Sequence, residues 1–196
     1  MLQVLHRQVA RLGHLVDELL DVSRLHSGRL TLTFEPVELS ALTREVAGRM
    51  APQLATAGCR TELDMDEPVV GFWDRFRLEQ VVVNLLSNAM KYGKHQPIHV
   101  TVRRQAASAL LVVRDHGIGI AEKDQAKIFN RFERAVPAQN FGGLGLGLYL
   151  VHWVLTSHGG SVRVDSKPNA GATFTVELPL RPPGVDPPEE ARPPRG

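Results

Sequence analysis

Apolar residues recur at helical spacing through Leu78, Val81, Val82, Leu85, Leu86 and Ala89, which predicts a largely buried helix over residues 78–92. Three polar residues interrupt it. Asn84, Asn88 and Lys91 fall at i, i+4 and i+7, on one face, with Tyr92 beside them. Asn is a mediocre helix former, and a buried amide without a partner is costly. The stripe therefore faces either solvent or a ligand, and this helix alone leaves both open.

The pattern elsewhere predicts the surrounding elements. Leu2, Leu5, Val9, Leu12, Val16 and Leu19 form a near-heptad stripe widened by Leu15, Leu20 and Leu25. A long amphipathic helix over 2–27 follows, with more apolar face than it can bury alone. It calls for another helix, from upstream or from a second copy; the alternative is flat packing on its own domain. Gly28 is placed to end it. Residues 30–34 alternate with threonines and predict a short strand. A second helix is expected over 40–57, with Ser40 as N-cap and Pro52 kinking or shortening it. Strands are expected at 59–64 and 69–73, with 66–68 as the turn, and Asp74 is placed to cap the 78–92 helix. Further strands are expected at 98–103 and 110–113, then a short helix and turn over 122–132. Residues 133–142 lack periodicity and read as a mobile loop. A glycine-rich stretch leads into an apolar helix ending near 157. Strands at 161–166 and 173–180 should close as an antiparallel pair. From residue 182 the chain is Pro-, Glu- and Arg-rich and should be a disordered tail. Helices and strands mix without βαβ alternation. The fold class expected is α+β, a two-layer sandwich with a mixed, mostly antiparallel sheet covered by helices and preceded by the long N-terminal helix.

Composition narrows the function. The 196 residues are 43% hydrophobic, enough for a real core, and the formal charge of +2 does not call for nucleic acid. The single cysteine, Cys59, excludes an internal disulfide or a multi-Cys metal site. No apolar run approaches the roughly 20 residues that span a bilayer, and no signal peptide opens the chain. A soluble, cytoplasmic module is expected, with any membrane anchor of a parent protein lying elsewhere. None of the eight histidines has metal-ligand spacing with a carboxylate, so all read as surface or packing residues.

Two further segments carry chemistry. In Asp115-His-Gly117-Ile-Gly119 a carboxylate stands at a strand end beside two glycines, where it can accept from a ligand amine while the backbone comes close. An ordinary Asp-Gly turn is the plain alternative. In Gly143-Leu-Gly145-Leu-Gly147-Leu148, glycines before a helix let backbone N–H groups converge on phosphate. The spacing is neither the dinucleotide fingerprint nor a P-loop, and the plain alternative is a hinge.

Taken in order, the chain carries Asp74-Arg-Phe-Arg-Leu-Glu-Gln80, Asn84-Leu-Leu-Ser-Asn88-Ala-Met-Lys91-Tyr92, Asp115-His-Gly-Ile-Gly119, Ile128-Phe-Asn-Arg-Phe132, Gly143-Leu-Gly-Leu-Gly-Leu148 and Gly171-Ala-Thr-Phe174. Over about residues 37–181 this closely resembles the catalytic, ATP-binding domain of bacterial sensor histidine kinases, with its Bergerat-type fold. The first helix resembles the second helix of that family's dimerisation and phosphotransfer hairpin. The resemblance implies three regions: a partial hairpin over 1–30, the catalytic domain over 31–181, and the tail over 182–196.

The resemblance also implies roles. Asn84 would hold Mg²⁺ through its side-chain oxygen. Asn88 and Lys91 would approach the phosphates of ATP, Tyr92 would pack near adenine or ribose, and Arg131 would reach the phosphates. Asp115 would accept from the adenine 6-amino group, with Gly119 giving room for the ring. Residues 133–143 would be a lid, with Gly143, Gly145 and Gly147 its hinge and phosphate-facing turn. Gly117, Ile120, Leu144, Leu146 and Leu148 would complete the nucleotide surface, and Thr173 would meet adenine through water. Asn84, Lys91 and Arg131 would carry the catalysis. The implied partners are a second copy, the phosphotransfer hairpin and a response regulator.

His116 stands where the family usually has Asn, and Leu144 where a small residue is common. The phospho-acceptor motif, a His followed by an acid and then a Pro, is absent from the sequence. The chain is therefore expected to be a fragment or a truncated kinase that binds ATP without autophosphorylating. In ATP-hydrolysing relatives of this fold a Glu one turn before the metal-binding Asn activates water. Here that position is Gln80, which favours transfer to a side chain. Two alternatives stay open: a non-catalytic nucleotide-responsive module, and an anti-sigma-type serine kinase.

Overall fold

The computed structural model describes residues 31–65, 68–93, 95–133, 135 and 144–184, together with Gly13 and Leu20. The helix expected over 2–27 with its Gly28 stop, the 66–67 turn, Gly143, most of the 133–143 loop and the chain from 185 lie outside those residues.

A small antiparallel sheet pairs β1 (Glu35–Glu38) with β3 (Val70–Trp73). The main sheet has five strands in the order β2-β4-β5-β7-β6: β2 (Thr61–Asp64), β4 (Ile98–Gln105), β5 (Ser108–Arg114), β6 (Ser161–Ser166) and β7 (Ala172–Pro179). Among the described residues only the β2–β4 pair is parallel. Three longer helices pack on the sheet: α1 (Leu39–Thr56), α2 (Arg75–Tyr92) and α4 (Gly147–Ser157). A short α3 (Glu122–Gln125) and a 3-10 turn (Lys127–Phe129) precede α4. This is the α+β sandwich expected.

The strand period decides which side meets the helices. Val100 and Val102 of β4, Leu111 and Val113 of β5, and Phe174 and Val176 of β7 are buried. They pack with Leu78, Leu85 and Leu86 of α2 and Val151 and Leu155 of α4 in one core. Thr101, Val112 and Thr175 alternate with them on the other face, in register across the sheet. No helix among the described residues is long and apolar enough to cross a membrane.

Several boundaries differ from the expectation. Residues 31–34 form no ladder, and the strand is Glu35–Glu38. The alternation of leucine and threonine has no neighbouring strand to pair with there; the Thr33 N–H donates instead to Asp74 Oδ2 at 2.9 Å. Pro36 is tolerated because β1 is an edge strand with one neighbour. The strands over 59–64 and 69–73 exist as β2 and β3, but they do not pair with each other: they belong to different sheets. The N-cap of α1 is Glu38, not Ser40; its Oε1 accepts from the Ala41 N–H at 3.1 Å, and Ser40 is buried inside the first turn. Pro52 does not stop α1, which runs on to Thr56. Pro52 and Gly48, whose carbonyl the proline cannot satisfy, are both exposed to water.

Asp74 caps α2 as expected, its Oδ1 accepting from the Arg77 N–H at 3.0 Å. The helix begins at Arg75, earlier than its apolar period shows. At the same place α4 ends. His158, wholly buried, follows Ser157; its Nε2 accepts from the Asp74 N–H at 3.0 Å and its Nδ1 donates to the Val154 carbonyl at 2.7 Å. The Phe34 ring meets the imidazole edge-on, 5.2 Å between centroids. Close by, the Phe72 N–H donates to the Leu180 carbonyl and Trp73 Nε1 to the Pro179 carbonyl, each at 2.8 Å. The segment before β1 and the segment after β7 thus meet at one pole of the domain.

These bonds require a neutral imidazole protonated on Nδ1. Burial pushes the His158 pKa below its ordinary value, opposed by the bond to Val154 and the charge of Asp74. A folded-state pKa below the unfolded one leaves stability intact above about pH 6.5 and removes it as pH falls from there towards the folded value. A melting temperature that declines between pH 7 and 5 is the expected result, and His158→Gln, which cannot protonate, should flatten that slope. An unchanged slope in this variant, followed by circular dichroism, would count against the assignment.

Candidate functional site

The C-terminal half of α2, the loop after β5, the start of α4 and the head of β7 enclose a cavity of about 230 Å³. Asn84, Asn88, Lys91 and Tyr92 contribute the α2 wall, so the polar stripe faces this cavity.

Asn84 is almost buried, and its Nδ2 donates to the Gln80 carbonyl at 3.0 Å. Only the amide nitrogen can donate to a carbonyl, so Oδ1 is left as an acceptor, and no described residue donates to it. Lys91 Nζ lies 4.8 Å from the centre of the Tyr92 ring, a cation–π contact that keeps the ammonium on this wall.

Asp115 stands opposite, at the end of β5. The N–H groups of Gly117 and Ala172 donate to its Oδ1 at 2.8 and 3.3 Å. Among the described residues nothing donates to Oδ2, and Asp115 lines the cavity. Burial pushes this carboxyl above its ordinary pKa; the two N–H bonds and the nearby His116 pull it back. The carboxylate is oriented by backbone on one oxygen and offered to a ligand on the other.

The loop that carries Asp115 is held by close backbone contacts. The Ile118 N–H donates to the Tyr92 carbonyl at 3.2 Å, and the Ile120 N–H to Ser166 Oγ at 2.8 Å. A Cβ on Gly117 would lie 1.8 Å from the Tyr92 carbonyl oxygen. Gly119 has φ +68°, and a Cβ there would lie 2.0 Å from the Lys167 carbonyl oxygen. The 167–168 backbone thus by itself demands glycine at 119, and the residue also lines the cavity.

The fourth wall is Leu144, Gly145, Leu146, Gly147 and Leu148. Among the described residues no side chain caps α4, so its first-turn N–H groups keep their capacity for an anion. Gly145 has φ +74°, and its carbonyl accepts from the Phe132 N–H at 3.1 Å. That bond brings Glu133 to the cavity edge.

Of the residues singled out from sequence, Asn84, Asn88, Lys91, Tyr92, Asp115, Gly119, Ile120, Leu144, Gly145, Leu146, Gly147 and Leu148 come together around one space. Three do not line it. Gly117 supports the loop from behind. Arg131 is exposed, its guanidinium 5.1 Å from the centre of the Tyr149 ring. Thr173 lies on the opposite face of β7, while its neighbours Ala172 and Phe174 take the cavity side. Sequence reasoning also passed over Ser87, Ile118, Ile128, Glu133 and Ala135. Ser87 was within reach, since it falls one turn after Asn84.

Neither Glu79 nor Gln80 lines the cavity. Glu79 pairs with Arg49 at 2.5 Å, and Gln80 Oε1 accepts from Arg77 at 2.8 Å. Among the described residues no three His, Cys, Asp or Glu side chains gather as a metal site. A cation here would rest on the Asn84 oxygen and on the ligand's own oxygens, a donor set suited to Mg²⁺.

Several known proteins are similar to this chain. The family described as histidine kinase-, DNA gyrase B-, and HSP90-like ATPase matches residues 73–182. The sensor-like histidine kinase SenX3 of Mycobacterium bovis is 37% identical over 174 residues, covering 86% of this chain and 42% of that protein. The signal transduction histidine-protein kinase BarA of Escherichia coli is 32% identical over 190 residues, 91% of this chain and 20% of that protein. The chain thus spans less than half the length of these curated relatives. Among solved structures, the Acinetobacter baumannii histidine kinase AdeS superposes with a TM-score of 0.76 at 26% identity, over 91% of this chain and 83% of that one. Full-length ShkA in complex with AMPPNP gives 0.79 at 28% identity, over 90% of this chain and 37% of that one.

Proposed function

The chain belongs to the histidine kinase-, DNA gyrase B- and HSP90-like ATPase family, in its sensor histidine kinase branch, and on that premise we propose that residues 31–181 bind Mg²⁺–ATP and pass its γ-phosphoryl group to a histidine. The observation that carries this reading is the cavity itself. A carboxylate with one oxygen open to the cavity, Asp115, stands on one wall, and the start of α4 and the Asn84–Asn88–Lys91 stripe form others.

Asp115 Oδ2 accepts the adenine amino N–H, while Ile118, Ile120, Ala172 and Phe174 exclude water around the base. Tyr92 packs by the base or ribose. Asn88, Lys91 and the α4 N–H groups hold the phosphates by charge and hydrogen bonds. Asn84 offers Oδ1 to Mg²⁺, which when bound neutralises charge on the phosphate oxygens. The chain's contribution is positioning and charge. In the transfer, the bond from the γ-phosphorus to the bridging oxygen breaks, a bond to an imidazole nitrogen forms, and ADP leaves. The ion-paired Glu79 and the Arg77-bound Gln80 provide no base for water on that turn of α2, which supports transfer over hydrolysis. The acceptor histidine belongs to a phosphotransfer hairpin, which dimerises through the region of residues 1–30, and a response regulator takes the phosphoryl group onward in the cytoplasm.

The test mixes the chain with γ-labelled ATP, Mg²⁺ and a hairpin fragment bearing the histidine. Acid-labile, base-stable label on the hairpin is expected. It should fall at least 100-fold with Asn84→Ala, on the order of the loss of a transition-state electrostatic contact. ATP bound normally, but no label on a hairpin known to be competent, would leave a nucleotide-binding module and overturn the kinase reading.

A further inference from the structure

The two helices that form the cavity share a second meeting place. Asn84 lies on α2 roughly 15 Å along the axis from Asp74, at 1.5 Å per residue. Gly147 lies at the start of α4 and His158 just past its end. α2 and α4 therefore run in opposite directions between the cavity and one buried junction, where the Asp74 N–H donates to His158 Nε2. Residues 33 and 34 enter that junction. The Thr33 N–H donates to the carboxylate that caps α2, and the Phe34 ring lies edge-on against His158. The contacts are specific: Asp74 Oδ1 serves Arg77 while Oδ2 serves Thr33, and His158 uses both ring nitrogens.

We propose that residues 33–34 and the cavity are thermodynamically coupled through Asp74 and His158, so that displacing this segment changes nucleotide affinity and nucleotide occupancy changes the hold on the segment. The nucleotide half of this rests on the proposed function. Asp74 and His158 are positioning residues: they touch no ligand and act by fixing the far ends of the helices that do. Reciprocity is required, since a coupling free energy acts equally in both directions. The polypeptide joined at residue 31 would thereby be able to influence the site.

The test uses the full chain with Mg²⁺ and AMPPNP. Thr33→Pro removes the donor N–H, and Phe34→Ala removes the ring. Each should shift the AMPPNP dissociation constant at least fivefold, the lower end of ordinary allosteric coupling. In wild-type protein, saturating AMPPNP should alter hydrogen exchange of the Thr33 amide by a comparable factor. Val46→Ala, a buried truncation in α1 that removes none of the junction's hydrogen bonds, serves as the stability control; it should lower the melting temperature while leaving AMPPNP affinity within twofold. Without nucleotide, both junction variants should speed exchange over residues 84–92 and 147–150 but not within β4 and β5. This ligand-free arm decides the coupling even if wild-type protein binds no nucleotide, a result that would sink the proposed function alone. Cavity-end exchange equal to wild type in both variants would overturn the coupling. So would an AMPPNP affinity shift no larger than that of Val46→Ala.

Discussion

Asp115→Asn should weaken ATP binding by about 10- to 100-fold, the range of a charge-assisted hydrogen bond worth about 1.5–3 kcal/mol, while binding of inorganic triphosphate stays within about twofold. The asymmetry follows from the geometry. The Asn oxygen can still receive the Gly117 and Ala172 N–H groups, so the loop keeps its shape. The position facing the cavity then carries an NH₂ group in place of an oxygen, and two donors meet where a donor and an acceptor met. Stability should not follow affinity. Burial raises the Asp115 pKa in the fold, so the folded state holds this proton more tightly than the unfolded chain does, and stability is lost as pH rises from the ordinary aspartate range through the folded value. Removing the charge should leave the melting temperature of the nucleotide-free protein at pH 7 unchanged or higher. For wild type, affinity should fall on acidification at a higher pH than an ordinary aspartate would give. Calorimetric titration with ATP and triphosphate checks the first point, and thermal melts the second. Equal weakening of both ligands would refute the adenine-selecting role.

Gly117→Ala should cost about 3 kcal/mol, the upper end of ordinary overpacking penalties, and should remove nucleotide binding with it. A methyl group placed 1.8 Å from the Tyr92 carbonyl oxygen and 2.9 Å from Asp115 Oδ1 cannot be relieved by turning a side chain, since the first obstacle is backbone. Either the end of α2 or the Asp115 loop must move. Both are cavity walls, so the damage reaches Tyr92 and Asp115 together. Gly48→Ala is the control: a Cβ there meets nothing within 4 Å, and replacing glycine inside a helix should stabilise α1 by about 0.5–1 kcal/mol. Urea unfolding of the two variants separates the effects; a Gly117→Ala protein as stable as wild type would show that the loop yields.

Much of this was legible because strands and helices announce their buried sides. The alternation in β4, β5 and β7 and the period of α2 placed the core, and the three polar positions on α2 marked the cavity wall. The misreadings share one cause, which is partners distant in sequence. Nothing local shows that Thr33 bonds Asp74 rather than a neighbouring strand, or that β2 pairs beyond β3 with β4. Ser40 has the right chemistry for a cap, but β1 runs to Glu38, opposite Val70 where β3 begins, and the helix starts directly after it. On β7 the resemblance points to Thr173, whereas Ala172 and Phe174 are the residues that line the cavity. The resemblance directs Arg131 to the phosphates, whereas its guanidinium lies over the ring of Tyr149 in the first turn of α4, a contact that no sequence spacing encodes.

The pole where residues 33–34 and 179–180 meet has an architectural consequence. Residues 33–34 and 179–180 both adjoin residues 72–74 and His158, at the end of α2 away from the cavity. Such a unit can be spliced between unrelated neighbours, upstream and downstream, without either having to travel round the active face. It can serve as an interchangeable cartridge, and reporters or affinity tags joined at these two points should leave the mouth unobstructed.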